Sequence, residues 1–150
     1  MKKFELTTDS IKRNGVTLYR IKSLIDFEDV KAGYLGGYVE KEENLSQSGN
    51  AWVAGNALVY GNAEVSGDAC VSGNAEVYGN ADYIYLKGFG SHNRSTTMFR
   101  EKGGNICVSC GCFSGTLEEF ENKVKETHGN NKFAREYLTF VEAAKIHFEV

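Results

Sequence analysis

The chain has 150 residues, 41% of them hydrophobic and 25% charged, with 17 basic against 20 acidic side chains and a formal net charge of −3. That is the composition of one soluble domain, not of a disordered segment. It gives no drive toward long nucleic acid or an anionic membrane, and no stretch nears the ~20 apolar residues a membrane-spanning helix needs. Seventeen glycines with no proline point to glycine placed at repeated turns. The start, Met1-Lys2-Lys3-Phe4-Glu5, lacks the apolar run of a secretory signal, so a cytoplasmic protein is expected. There Cys70, Cys107, Cys110 and Cys112 are read as thiols, not disulfides.

Residues 4–30 read as strands. In the run IKRNGVTLYRIKSLIDF, Asn14-Gly15 is the favoured two-residue turn pair between apolar alternations, which predicts a hairpin. The irregular lead-in GGYVEKEENLSQS follows. From Gly49 the chain then reads GNAWVA, GNALVY, GNAEVS, GDACVS, GNAEVY, GNADYI, in consecutive six-residue units. A period of six fits neither a helix stripe nor a hairpin meander. It fits a coil of three flat faces, one hexad per face. The valines at 53, 59, 65, 71 and 77 and the alanines two places before them point inward, and Gly-Asn or Gly-Asp turns each corner. Stacking at three hexads sets Asn50 over Asp68 and Tyr60 over Tyr78.

This pattern resembles the left-handed parallel β-helix of the bacterial hexapeptide-repeat proteins, with an inward aliphatic and a small residue four places later (Val53 with Ala57, Val59 with Ala63, Val65 with Ala69). It departs from that family at the residue after the aliphatic, where Ala54, Tyr60, Ser66, Ser72 and Tyr78 stand. The lead-in GGYVEKEENL, the GNAxVYGNA repeats and SCGCFSGTLEEFENKVKETHG also resemble uncharacterised phage and prophage proteins, which implies the host bacterial cytoplasm as the setting.

Behind the repeat, residues 83–86 continue as strand. Thr97–Arg100 and Asn105–Val108 form a second hairpin around Lys102-Gly103-Gly104. Thr116 with Glu119 makes a capping box, and Leu117, Phe120 and Val124 line one face of a helix that Gly129 ends. Phe133, Tyr137, Phe140, Val141, Ala144 and Phe148 mark a second helix. The expected fold is thus mainly β: an N-terminal hairpin region over residues 1–34, a short left-handed parallel β-helix over 35–86, and an α+β cap over 87–150 that seals the coil edge.

Chemistry concentrates outside the repeat. From Lys87 to Arg100 there are three permanent cations, a histidine and no acid. Lys87, Phe89, Ser91, His92, Arg94, Ser95, Thr96, Thr97 and Arg100 are the candidate ligand-binding set. Backbone N–H groups, hydroxyls and guanidinium forks there suit phosphate or carboxylate capture, with Phe89, Tyr83 or Tyr85 under a base. The segment lacks the spacing of a phosphate-binding or dinucleotide motif. The bland alternative is a solvated loop whose arginines pair with Glu118, Glu119 or Glu121. Cys107, Cys110 and Cys112 lack a second ligand pair beyond His128 and read as core thiols, so neither metal nor cofactor is expected. Trp52, Leu58, Tyr60 and Tyr78 read as an exposed strip for subunit contact, and analogy with short hexapeptide prisms suggests a homotrimer or higher homo-oligomer.

These features predict a non-catalytic binding protein that sequesters a small anionic, nucleotide-like ligand at subunit interfaces, in the phage setting to counter bacterial defence signalling. Two alternatives stand beside it. One is a protein–protein inhibitor or scaffold of a host factor. The other is a hexapeptide-type acyltransferase with His92 as general base; no histidine falls in the repeat itself.

Overall fold

The structure, a computed structural model, describes residues 2–79, 82–90, 94–110 and 113–150, without the side chains of Phe89 and Arg94. The chain is mainly β with a C-terminal α+β segment. Strands β1 (Phe4–Arg13) and β2 (Val16–Ser23) form the expected hairpin. Asn14 and Gly15 turn it with φ of 53° and 79°, the left-handed geometry that a two-residue turn requires. Strand β3 (Leu35–Val39) pairs antiparallel with β2 and, on its other side, parallel with the second repeat strand, at Leu58 and Val59. It therefore welds the hairpin to the repeat.

Within the repeat the strands are two residues long: β4 (Trp52–Val53), β5 (Leu58–Val59), β6 (Cys70–Val71) and β7 (Glu76–Val77). Trp52 pairs in parallel with Cys70 and Leu58 with Glu76, each eighteen residues further on (70 − 52 and 76 − 58). Leu45 bridges Val65 in parallel on a third side. The inward register holds throughout: Val53, Val59, Val65, Val71 and Val77 are fully enclosed, and alanines 51, 57, 63, 69 and 75 are buried beside them. Each enclosed valine contributes about 1.5–3 kcal/mol relative to an exposed one. The sheets are nonetheless not those of a uniform solenoid. The largest is a mixed five-stranded sheet, β1-β2-β3-β5-β7, because the N-terminal hairpin extends one face of the repeat; only β4 and β6 form a separate parallel pair.

Strands β8 (Tyr83–Phe89), β9 (Arg94–Arg100), β10 (Ile106–Cys110) and β11 (Phe113–Thr116) make an antiparallel sheet in the order β11-β10-β9-β8. The boundary expected at residue 86 thus falls inside a strand, and the segment read as a loop from Lys87 to Arg100 is largely two strands. The physical reason is period-two alternation: Thr97 and Phe99 turn toward the repeat, and Thr96 and Met98 toward the helices. Backbone bonds seal this sheet to the last turn of the repeat, with Ala75 bridging Glu101 and the Lys102 N–H donating to the Asn74 carbonyl.

Helix α1 (Leu117–His128) starts on the expected capping box, the Glu119 N–H donating to Thr116 Oγ1 at 3.1 Å. Helix α2 (Lys132–Phe148) starts on Asn131, whose side chain accepts from the Ala134 N–H. Their buried faces join Met98, Ile106, Val108 and Cys110 in a second core, separate from the valine core of the repeat. Among the described residues no helix is long and apolar enough to cross a membrane.

Two of the residues expected to form an exposed strip are buried. Trp52 is 6% exposed and packs edge-on against Phe27 at 5.4 Å. Tyr60 is 2% exposed, its hydroxyl donating to Glu76 Oε1 at 2.9 Å and accepting from Asn14 Nδ2 at 2.9 Å. Arg13 grips the same carboxylate with two bonds, 3.0 and 2.9 Å. The tip of the N-terminal hairpin therefore covers the outward face that composition alone leaves open. Leu58 is half-buried beneath it; Tyr78, at 61% exposure, is the open member of the four.

Candidate functional site

A cleft of about 450 Å3 joins all three parts of the chain. Its floor comes from the outward positions of the repeat: Asn50, Trp52, Asp68 and Cys70. The stacking at eighteen residues expected for Asn50 and Asp68 brings them together, Nδ2 donating to Oδ1 at 3.4 Å. One wall is the turn Phe27–Val30, closed by reciprocal backbone bonds of 2.9 and 2.8 Å between its end residues. Glu28 in that turn has φ of 44°, a conformation that a non-glycine residue adopts at a cost and that recurs at functional sites. The other wall is the antiparallel sheet, which contributes Lys87, Ser95, Thr97 and Ser109.

Three of the nine candidate ligand-binding residues, Lys87, Ser95 and Thr97, therefore meet in this cleft. Two others do not. Thr96 faces the helices, where its hydroxyl donates to Cys110 Sγ at 3.1 Å. Arg100 also turns that way: its Nε donates to Asp82 Oδ1 at 3.1 Å and its guanidinium lies over the Phe148 ring. Both corrections have one cause, since residues of even number on β9 lie on the helix side of the sheet. Ser91 and His92, and the side chains of Phe89 and Arg94, lie outside the described residues.

The partners of these cations were also misplaced by sequence reasoning. Glu119 is spent on the helix cap and Glu121 on Lys145, whereas Lys87 pairs with Asp68 at 2.6 Å and Arg100 with Asp82. The Asp68 carboxylate holds the Lys87 ammonium above the ordinary lysine range. Being exposed, that pair adds little stability and is free to exchange for a ligand. Burial pushes the Cys70 thiol up, which makes it an unreactive lining group.

Sequence reasoning missed the acidic wall, Glu28 and Asp29. The cluster Asp26-Phe27-Glu28-Asp29 is legible as an acidic turn, but nothing local says that it folds against Trp52. Among the described lining residues, three carboxylates (Glu28, Asp29, Asp68) thus face one ammonium (Lys87). Such a cleft can accept hydrogen bonds from hydroxyl or amino groups at several points and donate a charge-assisted bond at one.

Lys3 was not singled out either. It is 1% exposed, with its Nζ donating to the Ala51 carbonyl at 2.7 Å and the Gly49 carbonyl at 3.4 Å, and it lies over the Phe27 ring. Burial lowers its pKa to about 8. This lysine anchors the N-terminus to the first corner of the repeat and backs the Phe27 wall. Cys107 turns toward Glu101, to which its Sγ donates at 3.1 Å; burial first and that carboxylate second push the thiol up to about 12. Cys112 lies outside the described residues. The remaining histidines sit on the helices, His128 against Phe133 and Tyr137 and His147 against Phe148.

No family model matches the chain. Over 50 residues, 33% of its length, the chain is 42% identical to an uncharacterized acetyltransferase, YdcK, of Escherichia coli (strain K12). The chain spans 15% of that protein's length, so the similarity concerns one segment of a much longer enzyme.

Proposed function

We propose that the chain is a non-catalytic binding protein in which the repeat winds as a short left-handed parallel β-helix and the cleft beside it holds a small nucleotide-like ligand. The hexad pattern and the parallel pairing at an eighteen-residue step support the winding. The observation that carries the binding reading is the composition of the cleft. Lys87 offers the ligand's anionic group a cation, Ser95, Thr97 and Ser109 surround it with hydroxyls, and Glu28, Asp29 and Asp68 offer acceptors for ribose hydroxyls or base amino groups. With three carboxylates against one ammonium, a ligand with one phosphate or a shared diester fits better than a polyphosphate. The phage resemblance makes a defence signal of the host the natural cargo, and the hexapeptide-repeat resemblance implies a homotrimer or higher homo-oligomer.

Calorimetry against cyclic dinucleotides, ADP-ribose and cyclic ADP-ribose tests the reading. Micromolar or tighter binding of one class, weakened at least about tenfold in Lys87→Ala, is the expected result. No binding across the panel, or binding indifferent to Lys87, removes it. Native mass spectrometry of the same samples reads the number of copies against the 16.6 kDa chain mass.

The segment shared with an acetyltransferase favours one second reading, acyl transfer. It predicts acetyl-CoA affinity and turnover that His92→Ala abolishes. Absence of acetyl-CoA binding excludes it.

A further inference from the structure

We propose that strand β8 is a self-association edge, at which two copies of the chain pair their β8 strands antiparallel across a two-fold axis near Leu86. The inference does not depend on the ligand reading above. An unpaired sheet edge presents a row of N–H and C=O groups that another strand can satisfy, and natural proteins guard such edges with charge, bulges, brevity or cover.

Three other edge strands, β1, β11 and β4, are guarded in those ways, whereas β8 is regular from Tyr83 to Lys87 and breaks register only beyond it, between Lys87 and Phe89. Strand β1, at the edge of the five-stranded sheet, carries Glu5, Asp9, Lys12 and Arg13 and has a register break between Leu6 and Ser10. Strand β11 is four residues long and runs straight into α1. Strand β4 has its N-terminal flank occupied by Lys3, whose Nζ bonds the Ala51 and Gly49 carbonyls. Strand β8 pairs on one side only, with β9, among the described residues. Its sequence, YIYLKGF, contains one charge, and that charge is tied to Asp68 of the repeat.

Beside this edge runs an apolar groove of about 480 Å3 between β8 and α2. Leu86, Phe140 and Ala143 form its apolar part, and Lys132, Arg135 and Glu136 its rim. Leu86 is 39% exposed. The occupant that fits is a second copy. Antiparallel pairing of identical strands is self-complementary, so the Leu86 of each copy reaches the groove of the other. A rim that carries both signs on one helix lets Arg135 or Lys132 of one copy meet Glu136 of its partner. Pairing sets the register, and the groove supplies the apolar area that an association of backbones alone lacks.

Sedimentation velocity on the full chain decides this, with Leu86→Lys and Ala143→Glu as variants and far-UV dichroism and thermal unfolding as fold controls. The expected result is an even number of copies in the parent and half that mass in both variants, with unfolding unchanged. Leu86→Cys supplies an independent readout: on oxidation it gives a reducible covalent pair that the parent does not form. A parent that sediments as one copy or three, a mass unchanged in Leu86→Lys, or no cross-link beyond the parent's in Leu86→Cys overturns the proposal.

Discussion

The repeat and the antiparallel sheet behind it are built from similar residues, yet their environments are set by different rules. In residues 49–79 an inward side chain's surroundings follow from its place in the hexad: every valine is enclosed and every preceding alanine buried beside it. In residues 83–116 no such place exists. There Thr96 and Thr97, chemically identical neighbours, serve opposite sides of one sheet, the first bonding Cys110 and the second accepting from the Cys70 N–H. Identical composition therefore predicts position only where a repeat imposes geometry, and elsewhere the pairing partner decides.

Five substitutions sharpen or break that contrast, beginning with the largest effect. Val71→Asp places a carboxylate inside the closed apolar core of the repeat and is expected to abolish cooperative unfolding altogether. A folded variant with near-parent circular dichroism would show the interior to be less closed than described. Next come two corners with similar backbone angles, Gly61 at φ 66° and Gly73 at φ 63°. Alanine at Gly73 meets nothing and costs about 1 kcal/mol, the left-handed penalty alone. Alanine at Gly61 runs into the Tyr78 carbonyl oxygen, a backbone atom that cannot swing aside, and should cost clearly more in urea titration. Equal costs would mean that the corners do not stack.

Thr97→Val keeps shape but strips the acceptor from the Cys70 N–H, and about 1–2 kcal/mol should be lost. Tyr60→Phe removes the hydroxyl that links Asn14 to Glu76 and should cost about 1 kcal/mol, loosening the N-terminal hairpin before the repeat melts. Hydrogen exchange at residues 4–23 reads that local effect.

Two of the shifted groups outside the repeat, Lys3 and Cys107, make a pH test with opposite signs. Lys3 has a folded pKa of about 8, below its unfolded value of 10.5, so the unfolded chain holds more protons between those limits and stability rises with pH there. Cys107 has a folded pKa of about 12, above 9.0 in the unfolded chain, so its contribution is complete below pH 9 and is lost as pH climbs toward 12. Lys3→Met should flatten the rise between pH 8 and 9, and Cys107→Ala should soften the later fall. Melting curves unchanged in either variant contradict the burial described.

How much was legible follows from the same contrast. Asn14-Gly15, Thr116 with Glu119 and the apolar stripe from Tyr137 to Phe148 are local signals, and each produced the element it predicts, while the hexads produced the enclosed valines and the parallel pairing at eighteen residues. The outward residues of the repeat were misread because their fate depends on a distant hairpin: Tyr60 is buried by Arg13 and Asn14, forty-odd positions away. The candidate ligand set split for a related reason. A cationic run with two glycines reads as a loop, but pairing Leu86 with Thr96 and Lys87 with Ser95 makes it a hairpin, and alternation sends Arg100 away from Lys87. The acidic turn at Phe27–Val30 becomes part of a site only through Trp52, a contact with no trace in local sequence.

The central claim is that the repeat and the antiparallel sheet together form one ligand cleft, and a two-wall double-mutant cycle tests it most directly. Asn50→Ala alters the repeat and Ser95→Ala the sheet, and affinity is measured by calorimetry for whichever nucleotide binds the parent. The account predicts that each variant alone weakens binding severalfold, that the two effects are coupled, and that neither shifts the melting temperature. A ligand that binds the parent and is held equally well by either single variant would place the binding site elsewhere on the molecule.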